Sequence, residues 1–538
     1  MLMKGKLSSI DISDVSIVDG GSYFVSVYSY SAYLSTQENK ISKYMFSSCS
    51  NLKTIILPQN IISIDELAFY GCKGLILISI PNTVKTIKSL AFGVCYSLAS
   101  IDIPNSVTNI GDNVFFESGL QTITIPNSIT NIESGTFRSC RRLVSISIPN
   151  SVTYIGREAF GNCSNLLSIS IPNSVTVIES YAFKDCIRLT DVILPNNIST
   201  IEEYTFKGCS ALKEVVIPDR VKTIKEGAFE ECVGLASFVI PNSVSFIGER
   251  AFRKCVGLTS IIIPNGVSTI ESQVFSFCSE LSSITIPNSV TNIKFAAFYG
   301  CESIKSITLP DKITTIGSQA FSGCIGLTSI EILEGVTTIE HSAFENCIGL
   351  TSISLPETVK SIGWSVFSGC TGLTSFDIPK SFTSIPVSMF SGCTGLTSAD
   401  IPSHITLIEE GAFSNCTGLT SISLPDNIKS IERTAFNGCS NLLSIIIPSS
   451  VTIIKEYTFF NCKKLGVIFL PDKINSIERA AFASCPEIKE VHIKSLIPPN
   501  GNGDISYHNN ISLYVPFGTK EVYQNNEYWN GFKEYIEE

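Results

Sequence analysis

The stretch Ala343–Ser365 reads AFENCIGLTSISLPETVKSIGWS, and Val366 and Phe367 begin the same phrase again. Phe344, Cys347, Leu350, Ile353, Leu355, Val359 and Ile362 are apolar, and nearly everything between them is polar, Gly or Pro. The spacing mixes intervals of two, three and four, so neither a single helix nor a single strand carries it. A coil that turns several times, with one apolar residue inward at each corner, does carry it. One such coil cannot close a core, but stacked copies can.

The copies are present. From Phe46 to Phe482 a phenylalanine marks each of twenty rungs, at a step of 23 residues except for a step of 22 from Phe115 to Phe137. An Ile stands five residues before every marker, from Ile41 to Ile477. A Cys stands three residues after it in nineteen rungs, and Ser118 takes its place in the shortened one. All 19 cysteines are used in this way. A redox strip or metal tape is one reading of that column. A metal, however, needs several ligands converging on one point, and here each rung offers one thiol in a line. The expectation is a ladder of buried free thiols acting as small hydrophobes.

Within a rung, Leu350–Leu355 alternates with period two and predicts a short strand, with Ile353 and Leu355 inward. Pro356 ends it, as Pro does at this place in eighteen of the twenty rungs, and Pro suits a strand end because it cannot donate to a ladder. Val359 and Ile362 make a second inward side. The AF-xx-C segment is expected as a third side, one helical or 3₁₀ turn. Gly before the Leu (Gly326, Gly349, Gly372, Gly395, Gly418) suggests a left-handed turn residue, although Arg142, Ala211 and Glu280 hold the same place elsewhere. The whole reads as an α/β repeat solenoid with one long parallel β-sheet and short helical turns opposite. The shortened rung, Phe115–Thr136, either bends the array or is absorbed by its loop.

Three regions follow. Residues 1–40 are irregular: Leu7, Ile10 and Ile12 imitate the strand half of a rung, Ser13 stands where Pro should be, and residues 20–36 are rich in Tyr and Ser. They are expected to form a degenerate N-terminal cap. Residues 41–494 form the solenoid. In 495–538 a Pro/Gly/Asn loop is followed by an expected strand at Ile511–Val515 and a helix over Thr519–Glu538, with Val522, Trp529, Phe532 and Ile536 on or near one face, as a C-terminal cap.

Composition narrows the partners. The 538 residues carry 38 Lys+Arg and 48 Asp+Glu, a net charge of −10 that is evenly sprinkled. That argues against nucleic acid and anionic membrane. No run of 18 apolar residues is present, so no membrane insertion is expected. The start, MLMKGKLSSIDISD, has no apolar leader core. The chain is therefore either cytosolic or a mature fragment whose leader has been removed. His341, His404, His492 and His508 lie apart, and no nucleophile triad, phosphate loop or paired-carboxylate motif stands out. The expectation is a non-catalytic chain without a cofactor.

The pattern L-xx-I-x-I-P-xx-V-xx-I-xxxx-F-xx-C resembles the BspA-like class of leucine-rich repeats. Leu350–Leu355 matches the general leucine-rich core, and the final SLYVPFGTKEVYQNNEYWNGFKEYIEE is similar to the tail that closes such arrays. The resemblance spans about residues 41–538. It implies a right-handed leucine-rich-repeat solenoid, a secreted or cell-surface location and adhesion to host proteins or other cells, with no family active site.

The sheet face is the expected binding surface. The commonest residues at its two outward strand positions are Ser and Thr, such as Ser352 and Ser354. Four consecutive rungs differ: Ile193, Val216, Val239 and Ile262 occupy the central outward position, with Asp191, Lys213 and Glu214 at the margin. An exposed apolar stripe rimmed by polar groups often marks an interface, whereas the plainer reading is the ordinary β-propensity of branched residues. A second candidate is the acidic column Glu331, Asp377 and Asp400, interrupted by Ser354. A glycan-binding or cell-envelope spacer module would need aromatic residues on this face, and in the strands only Phe469 supplies one. An intracellular scaffold is a third reading.

Overall fold

A computed structural model describes residues 9–11, 22–27, 30–35, 39–505 and 508–538. The readings made on Leu7, Ile12 and Ser13 lie outside them, whereas most of the Tyr/Ser-rich stretch lies within. The chain divides into two compact units, Met1–Val267 and Ser268–Glu538. Each is a stack of coils built on the same repeat.

The repeat positions carry the core as expected. In the opening rung Phe344, Cys347, Leu350 and Val359 are fully buried and Ile353 and Leu355 nearly so. Only Ile362 is half-buried. Like sits on like. In the first unit the rings from Phe46 to Phe252 stack face to face, with centroids 5.1–5.9 Å apart. In the second, the rings from Phe275 to Phe482 do the same at 5.3–6.0 Å. The shortened rung keeps its place in the column, Phe115 lying 5.5 Å from Phe137.

The expected single long sheet is replaced by two kinds of parallel ladder. The first joins the predicted strands in short runs, for example Ser168–Ser170 to Asp191–Ile193 in the first unit. The second joins two-residue strands on the Val-xx-Ile side, such as Thr269–Ile270, Asn292–Ile293, Thr315–Ile316, Thr338–Ile339 and Ser361–Ile362 in the second unit. Both keep a register of one repeat, with inward position paired to inward position, as Ile169 to Val192 and Ile270 to Ile293, because any slip would turn the inward residues outward.

The third side is not helical. It is a run of tight turns tied to the next rung. Phe321 N–H donates to the carbonyl of Ala343 at 2.8 Å and Gly323 N–H to that of Glu345 at 2.8 Å, while Cys324 N–H closes back on the carbonyl of Phe321 at 3.1 Å. Two residues per rung, two before and two after the marker Phe, have positive φ, as at Gln319 (φ 57) and Gly323 (φ 72). This corrects the reading of the glycines before Leu: Gly326, Gly349, Gly372, Gly395 and Gly418 are absent from the left-handed region. Their small size serves close approach instead. A Cβ on Gly349 would lie 2.6 Å from the carbonyl oxygen of Ile325 in the rung before.

At the ends, Ser9–Asp11 pairs in parallel with Thr54–Ile56, and Ser22–Val27 forms an antiparallel hairpin with Tyr30–Ser35. The helix expected over Thr519–Glu538 is only Lys520–Gln524. Glu534–Glu537 is instead a strand paired with Ser512–Val515, and the two continue the sheet that begins at Ser444–Ile446. Side-chain anchoring explains the change. Trp529 is fully buried and donates its indole N–H to the carbonyl of Pro499 at 2.9 Å, and the Tyr523 hydroxyl donates to that of Ser495 at 2.7 Å. A helix running past Gly531 (φ 85) could not meet these anchors, and Val522, expected on the inner face, is half exposed.

Candidate functional site

The interior leaves little chemistry for a site. All 19 cysteines are free, and all but the half-buried Cys49 are buried. Nearly every thiol donates to the carbonyl of the marker Phe one rung earlier, as Cys347 Sγ does to Phe321 at 3.1 Å. In the shortened rung Ser118 replaces the thiol and contacts Cys140 Sγ at 3.3 Å. Burial pushes the thiols of Cys140, Cys186, Cys324, Cys370 and Cys416 up to about 12. A neutral thiol that is already donating is a poor nucleophile and a poor ligand. No group of three or more potential metal ligands converges among the described residues. Nor is any described helix long and apolar enough to cross a membrane.

The sheet face is where rungs differ. The 23-residue repeat puts Ile193, Val216, Val239 and Ile262 on successive rungs, all pointing outward, with exposures of 57%, 80%, 79% and 68%. The inward neighbours Val192, Val215, Phe238 and Ile261 are buried, so strand alternation forces the four outward. Asp191, Lys213 and Glu214 are exposed on one flank, and none of the three takes part in an ion pair among the described residues. Asp191–Ile193 and Ser260–Ile262 are strands, whereas the segments around Val216 and Val239 are outside any strand, with an isolated bridge from Ser237 to Ser260. In the second of these segments Phe238 wedges edge-on between Phe229 and Phe252, at 4.9 and 4.8 Å, where most other rungs carry Ile or Val; the strand is likewise absent around Ile353, so an ordinary inward residue does not guarantee it.

Two features of this face were missed in the sequence. The first is an aromatic column. Phe469 stacks on His492 at 4.6 Å, and His492 on Tyr514 at 4.1 Å. His492 Nδ1 lies 3.0 Å from Glu538 Oε1. The signal was available: Phe469 and His492 share the central outward position of successive rungs, and the closing strand at Ser512–Val515 adds Tyr514 in register with His492. The second is a cavity of about 380 Å³ between the rungs of Asp377 and Asp400. Its signal was Ala399, which replaces the inward Ile of the repeat. The acidic column itself is present on the surface, with Asp377 and Asp400 both exposed.

Known proteins locate this architecture. The model of the BspA type leucine rich repeat region (6 copies) matches residues 20–144, 130–258, 246–372, 291–420 and 384–511. No curated protein sequence matches the chain. Among solved structures, a leucine-rich repeat protein from Bacteroides ovatus is similar at 27% identity, over 84% of this chain and 98% of that one, with a TM-score of 0.48. A leucine rich cell surface protein from Faecalibacterium prausnitzii is 24% identical over 84% and 94% of the two chains, with a TM-score of 0.30. A leucine-rich repeat protein from Eubacterium ventriosum is 22% identical over 69% and 84%, with a TM-score of 0.33. With matches running from residue 20 to residue 511, on a fold of stacked 23-residue coils, the chain belongs to the BspA-type leucine-rich repeat family.

Proposed function

We propose that the protein is a non-catalytic recognition protein that binds other proteins through its sheet face, at the cell surface or outside the cell. Family membership supports the class, because leucine-rich repeat proteins are interaction scaffolds. The single observation that carries the site is the stripe Ile193, Val216, Val239 and Ile262, four well-exposed branched side chains on consecutive rungs. Burying such a stripe in a complex removes apolar surface from water, at about 25 cal/mol per Å². Unpaired Asp191, Lys213 and Glu214 on its flank supply charges that orient a partner. Residues 41–494 present the face, and residues 1–40 and 495–538 close its two ends.

The test uses the full chain against purified extracellular-matrix and cell-surface proteins by surface plasmon resonance. A variant carrying Ile193→Ser, Val216→Ser, Val239→Ser and Ile262→Ser is measured beside it. Loss of a bound protein in the variant, with an unchanged circular dichroism spectrum, supports the stripe; unchanged affinity rejects it. A second reading, glycan binding, is favoured by the column Phe469, His492 and Tyr514, because its ring edges together with His492 and Glu538 offer apolar and hydrogen-bonding groups to a sugar. A glycan array read with Tyr514→Ala separates the two.

A further inference from the structure

The stripe lies in the first unit; a second feature of the sheet face lies wholly in the other unit and is independent of it. Two inward strand positions on consecutive rungs depart from the repeat in opposite directions. Phe376 is larger than the usual Ile or Val and Ala399 is smaller. Phe376 wedges against Phe367 and Phe390, at 5.2 and 5.0 Å, and those two spine rings stand 6.0 Å apart, the widest step in their unit. The chain at Thr374–Ile378 is not paired as a strand, while Ser398–Asp400 pairs only with the following rung, Ser421–Ser423. The truncated side chain of Ala399 leaves the space between these rungs unfilled. Ser375, Asp377, Ser398 and Asp400 at its rim are exposed, so the space opens at the surface.

The result is a cleft of about 380 Å³, in the range of sites that hold a small ligand group. Its inner wall is aromatic, made by Phe376, Phe390 and Phe413. Its mouth carries the carboxylates of Asp377 and Asp400, at the central outward position of adjacent rungs. Neither carboxylate has an ion-pair partner among the described residues. The acid pair alone would be an acidic rim. The opening beneath it, walled by ring carbons, gives it depth and a chemical preference.

We propose that this cleft binds the guanidinium group of an arginine side chain presented by a protein partner. A guanidinium is planar and stacks on an aromatic ring, and its fork of N–H donors reaches two carboxylates at once. The stem of an arginine is apolar and suits a wall of Phe and Leu396 carbons. A carboxylate or phosphate ligand would be repelled by the mouth. A purely apolar group would leave both carboxylates partly desolvated and unpaired.

The experiment uses the full chain and titrates the peptide acetyl-Gly-Arg-Gly-amide by ligand-observed NMR. The controls are its citrulline analogue, which is neutral and of nearly the same shape, and free ethylguanidinium. Saturable binding of the arginine peptide is expected, with the citrulline peptide and ethylguanidinium each weaker by about tenfold or more. Ala399→Ile restores the repeat residue and fills the cleft while keeping both acids; Asp377→Asn with Asp400→Asn keeps the shape and removes the charge. Each is expected to lower affinity by about tenfold or more. Binding that survives Ala399→Ile, checked with Ala399→Val should the larger residue fail to fold, would reduce the site to rim electrostatics and overturn the proposal. Equal binding of the citrulline peptide would overturn the guanidinium assignment, and equal binding of ethylguanidinium would overturn the assignment to a chain-borne arginine.

Discussion

Raising the pH should unfold this protein through its thiol column, and the size of the effect follows from burial. In the second unit Cys324, Cys370 and Cys416 are completely buried, donate to the carbonyls of Phe298, Phe344 and Phe390, and have thiols pushed up to about 12. An unfolded thiol titrates near ~8.5. The folded-state value is therefore the raised one. Stability from these groups is fully present below about 8.5 and is lost progressively as pH rises towards about 12, because the unfolded chain gives up its protons first. At pH ~9.5 an unfolded thiol is about ten-elevenths ionised and the folded one is neutral, which costs about 1.4 kcal/mol of stability per thiol. Three thiols give about 4 kcal/mol on the same basis. The assay is urea unfolding followed by circular dichroism at pH ~7.5 and ~9.5 under reducing conditions, for the natural chain and for the triple variant Cys324→Ala, Cys370→Ala, Cys416→Ala. The variant loses packing and three hydrogen bonds at both pH values, so the informative quantity is the difference between the two pH differences. It should be smaller in the variant by about 4 kcal/mol. Equal alkaline sensitivity in both proteins would show that the buried thiols are not what holds those protons, and the argument from burial would fail.

Other consequences concern packing and conformation. Phe298→Ala removes a fully buried ring stacked between Phe275 and Phe321 and should cost about 3–5 kcal/mol in chemical denaturation. Gly323→Asn should change stability by less than about 1 kcal/mol, because Asn tolerates its left-handed backbone and Asn346 adopts the same conformation one rung on. Gly349→Asn should cost more than about 2 kcal/mol, since a Cβ there meets the Ile325 carbonyl at 2.6 Å; the reverse ranking would contradict the division between conformational and close-approach glycines. With a thiol reagent at neutral pH, Cys49, the one half-buried cysteine, should react first in the native protein, and all 19 should appear after denaturation without reductant.

What was legible in the sequence is what repeats. Phe344, Cys347, Leu350, Ile353, Leu355 and Val359 could be placed inside because twenty copies average away the noise of any single rung. The backbone of the third side was not legible. Its left-handed positions hold Tyr181, Glu158, Arg250, Gln319 and Val94 as readily as Gly, so composition carries no signal there. Each such residue costs about 1–2 kcal/mol in isolation. The bonds from Gln319 N–H to His341 and from Gly323 N–H to Glu345 show what offsets that cost: the rung above dictates the conformation. The C-terminal residues were misread for a related reason. Val522, Trp529 and Ile536 fit a helical period, but local period cannot announce that the carbonyls of Pro499 and Ser495 wait for Trp529 and Tyr523. At the candidate site the outward stripe was readable because strand alternation fixes direction. The cleft was not, because a void is a property of two rungs together.

The outer face and the inner column of this fold are coupled where the inward residue changes, and that coupling bears on where recognition can arise. Inward and outward residues alternate along the same short strand, so a change of volume inside shifts the backbone that presents the residues outside. Phe238 lies beneath Val239, at the most exposed part of the apolar stripe, and the regular pairing lapses there. Phe376 and Ala399 lie beneath Asp377 and Asp400, and the pairing lapses there too. Ile193, Val216 and Ile262 stand over the ordinary inward Val192, Val215 and Ile261, so most of the stripe is a change of surface residues alone. Exchanging surface residues alone would change charge or hydropathy on a flat wall. Exchanging the residue beneath also changes the spacing between rungs, and with it the depth of the surface. In a protein whose core is otherwise one motif stacked twenty times, a departure at the inward position is the means by which the repeat can build a site rather than a patch.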